Sequence, residues 1–145
     1  QRYGQGHFAG AQAAVQDWWQ RKLRPYAPPT PVNGSGLSRD GRITAASLGG
    51  LLQYMWSSPM MPDFVASLPM YGMDGTLRRQ ATGLPGRAHL KTGTLRDANA
   101  LAGYVTGLDG RRYVLVAMAN GAEAGRARDA FYQLVEWTAM QPGTR

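Results

Sequence analysis

Lys91-Thr92-Gly93-Thr94 is the stretch of this sequence whose residue types could do chemistry together. A compact ammonium with three donors can polarise a hydroxyl or attract a carboxylate. Two threonine hydroxyls can hydrogen-bond that carboxylate, and a glycine lets a ligand backbone approach closely. Lys91 is one of only two lysines in a chain that otherwise carries its positive charge on arginine. A lysine is therefore used where arginine was available, at a place whose β-rich neighbours predict half-burial. The β-branched threonines, the flanking leucines and a Gly-rich loop at 82–86 predict a short strand over 89–95. Strict alternation along it puts Lys91 on the opposite face from Thr92 and Thr94, unless the chain twists at Gly93. Three letters alone would also fit an ordinary strand with an exposed lysine, so the neighbouring elements must carry the argument.

The 145 residues can bury one core, and 43% hydrophobic with 17% charged content is that of a globular protein. A formal net charge of +7 makes an anionic partner plausible: nucleic acid, a cell-envelope polymer or a membrane surface. The arginines are scattered, with only Arg21-Lys22-Leu23-Arg24 clustered, which is the pattern of a solvated face rather than a nucleic-acid groove. The absence of cysteine excludes disulfides, zinc-thiolate sites and cysteine nucleophiles. His7 has no second ligand at metal spacing, so no metal or other cofactor is expected. No apolar run is long enough to span a bilayer, and none reads as a signal peptide. The chain begins at Gln1 rather than methionine and is expected to be a piece of something longer.

Phe8, Ala11, Val15, Trp18, Trp19 and Leu23 recur at steps of three and four and predict a helix over 8–23, closed by Pro25. Its tryptophans read as core rather than as a stacking platform for a base or sugar. Residues 26–31 form a stiff Pro-rich connector, and 33–41 a loop of small polar residues. Asn33-Gly34-Ser35 matches a glycosylation acceptor, a pattern common by chance. Thr44 is placed to cap a second helix carrying Leu48, Leu51, Leu52, Met55 and Trp56, which Pro59 closes. A short helical turn at 63–67 leads to a loop, 68–77, with exposed methionines and a tight Asp74-Gly75 turn.

Two further strands are predicted at 99–107 and 111–119, joined by a hairpin at Leu108-Asp109-Gly110. Residues 113–118 are apolar at every position, so both faces should be covered. Asn120 with Glu123 forms a capping box for a last helix bearing Ala127, Phe131, Leu134, Val135 and Thr138. The order describes an α+β fold, an antiparallel sheet sandwiched by helices.

Taken in order, residues 33–39, then Tyr71-Gly72-Met73-Asp74-Gly75-Thr76-Leu77, then Lys91-Thr92-Gly93-Thr94, then the hairpin and last helix, resemble the C-terminal portion of bacterial D-Ala-D-Ala carboxypeptidases/endopeptidases. These are the type-4 class of low-molecular-mass penicillin-binding proteins, of β-lactamase/transpeptidase-like fold. Lys-Thr-Gly is one of three motifs in such serine acyl-transferases, beside Ser-x-x-Lys and Ser-x-Asn. That family usually has Asp where this chain has Asn33. The resemblance implies a periplasmic or extracytoplasmic serine peptidase that acts on peptidoglycan stem peptides and is acylated by β-lactams. It further implies that Lys91 sets the electrostatics around the serines of the site, that Thr92 and Thr94 hydroxyls receive the substrate carboxylate, with Gly93 between them, and that the Thr94 amide contributes to the oxyanion hole. Asp74, Gly75 and Thr76 would form part of the substrate-facing rim.

None of Ser35, Ser38, Ser47, Ser57, Ser58 or Ser67 has lysine three positions later or asparagine two positions later. The acylated serine and the second motif are therefore expected in an upstream part of the same protein, with 1–145 forming a C-terminal segment of the domain that is inactive alone. The rival from another class is a non-catalytic basic module that holds an anionic polymer with its arginines and Trp18/Trp19.

Overall fold

The computed structural model describes residues 6–79 and 84–141; of the predicted loop at 82–86, Thr82 and Gly83 lie outside these. The chain divides into two compact units, Gln1–Tyr54 and Met55–Arg145.

In the first unit, helix α1 (Phe8–Lys22) forms where its periodicity predicts. His7 is its N-cap: Nδ1 accepts the Gly10 N–H at 3.0 Å, satisfying one of the donors a helix start leaves open. Trp19 is only 3% exposed and donates its indole N–H to the Tyr26 carbonyl at 2.9 Å, while Trp18 meets Trp19 and Tyr54 edge-on. The tryptophans are therefore packing residues. The apolar stripe is used only in part, because Phe8 and Val15 are 44% and 37% exposed. A Pro-rich connector lies along α1: the Gln12 and Gln16 side-chain amides reach the Pro31 and Pro29 carbonyls at 2.9 and 3.0 Å. An antiparallel bridge between Thr30 and Arg42 closes the polar loop. Helix α2 (Ala45–Trp56), whose last two residues belong to the second unit, begins at the predicted cap, where Thr44 Oγ1 accepts the Ser47 N–H at 3.0 Å.

The second unit contains α3 (Met61–Ala66), β1 (Ala88–Leu95), β2 (Ala98–Thr106), β3 (Arg112–Asn120) and α4 (Ala127–Ala139). The strands form one antiparallel sheet in the order β1-β2-β3. Ala88, Leu90, Leu101, Val105, Leu115 and Ala117 bury one face against Val135 and Ala139 of α4. Each large apolar side chain so removed from water contributes about 2 kcal/mol, which lets a helix too short to stand alone persist. On the other face Tyr104 packs against Trp56 and against Phe64 of α3, and the Arg112 guanidinium lies 5.2 Å from the Trp56 ring centre. The sheet thus carries helices on both sides, as the element order predicts. Along 113–118 coverage is complete at Leu115 and Ala117, and Met118 is 37% exposed near the strand end.

The capping box at Asn120 does not form. Strand β3 runs on to Asn120, which pairs with Ala98, and the chain then turns at Gly121 with φ 125°. A 3-10 turn, Ala124–Arg126, intervenes, and α4 starts without a side-chain capping bond. Ladder pairing of one more residue outcompeted the cap.

At the sheet's centre Gly103 has φ 150°, and a Cβ there would collide with the His89 carbonyl oxygen on β1. Backbone cannot yield as a flexible side chain would, so Gly103→Ala should lower unfolding stability by roughly 2–4 kcal/mol, measured by denaturant titration.

Candidate active-site wall

β1 has β2 on one side only. On its other side the chain supplies a partner just at the start of the strand: Tyr71 N–H donates to the Ala88 carbonyl at 2.8 Å, and Leu90 N–H to the Pro69 carbonyl at 2.9 Å. Among the described residues no strand continues that pairing past Leu90. Backbone groups alternate in direction along a strand, so the N–H and C=O of Thr92 and Thr94 point to the same outer edge as those of Leu90.

The register from Leu90 to Leu95 is unbroken, with Lys91 opposite Ala102, Thr92 opposite Leu101, Gly93 opposite Ala100 and Thr94 opposite Asn99. No twist at Gly93 reconciles the two faces, and Gly93 has no positive φ. Lys91 leaves from one face, Thr92 and Thr94 from the other. What brings them together is the length of the lysine, whose Nζ reaches around to the Thr92 carbonyl at 2.6 Å. Lys91 is exposed rather than half-buried, because nothing among the described residues covers the end of β1 on its side. A Cβ on Gly93 would meet only the Ala100 Cβ, at an ordinary 3.8 Å, so packing within the chain does not demand glycine here.

Thr92 is half-buried and shares a hydrogen bond with Thr76 across 2.8 Å between the two hydroxyl oxygens. That contact joins the predicted rim to the predicted carboxylate grip. Asp74 serves the loop itself: its Oδ1 accepts the Met70 N–H at 2.6 Å. Gly75 adopts φ 54°, and a Cβ there would press on the Pro69 ring at 3.1 Å, so this position needs glycine twice over. The 3-10 turn Gly75–Leu77 then drives Leu77 fully into the core and leaves Thr76 exposed above it. Beside it lies an open depression of about 770 Å³ lined by Gly75, Thr76, Arg78 and Arg79. A second depression of about 500 Å³, lined in part by Trp56, Tyr104, Arg112 and His89, sits on the opposite face of the sheet.

Sequence reasoning missed three contributors. Tyr71 sits in a loop that reads as surface, yet it is 1% exposed and donates its hydroxyl to Glu136 Oε1 on α4 at 3.4 Å. Arg78 and Arg79 follow the rim motif directly but carried no periodic or spacing signal.

The family model for the D-Ala-D-Ala carboxypeptidase 3 (S13) family matches residues 26–141. The chain belongs to this family. It is 36% identical over 102 residues to the D-alanyl-D-alanine carboxypeptidase of Actinomadura sp. (strain R39), covering 66% of this chain and 19% of that protein. It is 37% identical over 99 residues to carboxypeptidase DacB of Mycolicibacterium smegmatis, covering 63% of this chain and 22% of that one. The fold matches the crystal structure of Haemophilus influenzae penicillin binding protein 4 (dacB) complexed with a β-lactam, with TM-score 0.80 at 22% identity over 93% of this chain and 34% of that one. The chain thus spans about a fifth of the curated relatives it matches.

Burial, and secondarily the neighbouring Glu136 carboxylate, push the Tyr71 hydroxyl from 10.0 up to about 12. The folded state therefore holds this proton more tightly than the unfolded chain. Its contribution is fully present below pH 10 and is lost as pH rises from 10 towards 12, by up to roughly 3 kcal/mol. Thermal unfolding followed across that window should show the loss, and Tyr71→Phe should flatten it. A remainder belongs to Tyr104 and Tyr132, which burial also raises.

Proposed function

We propose that this chain forms one wall of the active site of a serine-type D-Ala-D-Ala carboxypeptidase/endopeptidase that cleaves peptidoglycan stem peptides and is acylated by β-lactams. The observation that carries the reading is the outer edge of β1, left open among the described residues where Lys91, Thr92 and Thr94 lie, with the Thr92 hydroxyl tied to Thr76. Membership of the S13 family supports the reaction class.

A substrate peptide laid along this edge has its terminal carboxylate received by the Thr92 and Thr94 hydroxyls. The Thr94 N–H, directed outward, hydrogen-bonds the carbonyl oxygen as it gains charge during attack; such a preorganised donor stabilises the transition state by about 3 kcal/mol. The attacking serine and its base come from an upstream part of the same protein, since no serine here has the required neighbours. Lys91 can swing from the Thr92 carbonyl towards those serines, where its ammonium favours the deprotonated hydroxyl. Asp74 and Gly75 hold the rim in shape, and Thr76 presents its hydroxyl to the strand. The setting is extracytoplasmic, where such peptides are found. No helix among the described residues is long and apolar enough to cross a membrane.

A fluorescent penicillin tests the assignment. The 145-residue chain should remain unlabelled, a full-length protein containing it should label, and Lys91→Ala in the full-length protein should slow acylation on the order of a hundredfold or more. Rapid covalent labelling of the isolated chain would place a nucleophile within it and overturn the reading.

A further inference from the structure

The grip just described leaves the charge of its ligand unanswered. Thr92 and Thr94 offer neutral hydroxyls, and the Lys91 ammonium starts from the opposite face and is directed at a carbonyl oxygen. A carboxylate leaving water needs more than neutral donors to offset its lost hydration.

Two guanidiniums are placed to answer it. Arg78 and Arg79 line the same depression as Thr76, whose hydroxyl is bonded to that of Thr92. Both are exposed, and among the described residues no carboxylate pairs with either. Asp74, the nearest acid along the chain, has its Oδ1 engaged by the Met70 N–H. The backbone that carries the pair is fixed, since Leu77 is fully buried immediately before Arg78 and the Arg78 N–H closes on the Gly75 carbonyl at 3.4 Å. A flexible arginine on an anchored turn beside a hydroxyl pair is a ready anion subsite, and its planar fork suits a carboxylate better than a point charge does.

We infer that Arg78 and Arg79 determine specificity: they supply the positive charge that, with the Thr92 hydroxyl, selects ligands ending in a free carboxylate. The inference rests on the carboxylate-gripping role of β1 proposed above. It adds that discrimination against a neutral terminus comes from the rim arginines, not from the Lys-Thr-Gly strand alone.

The test compares an acetylated peptide ending in D-Ala-D-Ala as the free acid with its C-terminal amide, in the full-length protein and in R78Q/R79Q. The double variant should lose about tenfold or more in kcat/KM for the acid, mainly through KM, while the amide changes by less than about twofold. Because both side chains are exposed, the melting temperature should hold, separating this loss from misfolding. An unchanged preference for the acid in a folded double variant overturns the inference while leaving the hydrolase assignment intact. Should the unaltered full-length protein cleave neither peptide and resist β-lactams, the hydrolase assignment fails instead. The inference is then decided on the 145-residue chain by NMR titration with the same two peptides. Shifts at Thr76 and Thr92 with the acid only, lost in R78Q/R79Q, sustain it; shifts with neither or with both equally refute it.

Discussion

Among the described residues β1 loses its second partner halfway along, and the geometry of the site follows from that. β1 begins as an interior strand, held by β2 on one flank and by the Pro69–Tyr71 segment on the other, and after Leu90 it becomes an edge. Unpaired N–H and C=O groups on an edge must be met by water or by another backbone. The same chain segment that pairs with the first half of β1 then turns away through Gly75, so the edge is opened by design of the loop. That the two threonines and the lysine lie just beyond the point of opening couples the fold to the proposed chemistry.

The loop can stop pairing without drifting off because it is anchored at three depths. Tyr71 reaches through to Glu136 on α4, Leu77 is fully buried among sheet and helix residues, and Thr76 touches Thr92 at the surface. The backbone bonds at Ala88 and Leu90 set the register of the loop, the buried leucine sets its depth, and the hydroxyl contact is what remains to adjust. Exposed hydroxyl pairs contribute little to stability, about 1 kcal/mol or less, so the Thr76–Thr92 contact serves orientation more than folding.

Much of this was legible in the residues. The period of 3.6 in α1, the Thr44 cap, the Asp109-Gly110 turn and the three successive strand segments each have a local cause, and local causes can be read locally. The failures share a different origin. Asn120 has every local credential of a helix cap, but a neighbouring strand offered it a ladder position opposite Ala98. Tyr71 lies among glycines and methionines that signal surface, and is buried because α4, more than 60 residues later, supplies both wall and acceptor. Lys91 was expected half-buried from its β-rich neighbours, yet an edge strand exposes whatever nothing covers. The alternation rule itself held: lysine and threonines do leave opposite faces, and side-chain length rather than a backbone twist brings the ammonium round. The rim motif was visible as a pattern, whereas the contact of its threonine with the strand is tertiary and had no signature in spacing.

If the open half of β1 receives a peptide carboxylate, a crystal structure of the full-length protein acylated by a penicillin will show it there. The antibiotic's carboxylate should lie within hydrogen-bonding distance of the Thr92 and Thr94 hydroxyls, with the ester carbonyl oxygen on the Thr94 N–H. An adduct whose carboxylate lies away from β1, with the outer edge beyond Leu90 covered by another strand of the protein, would contradict it.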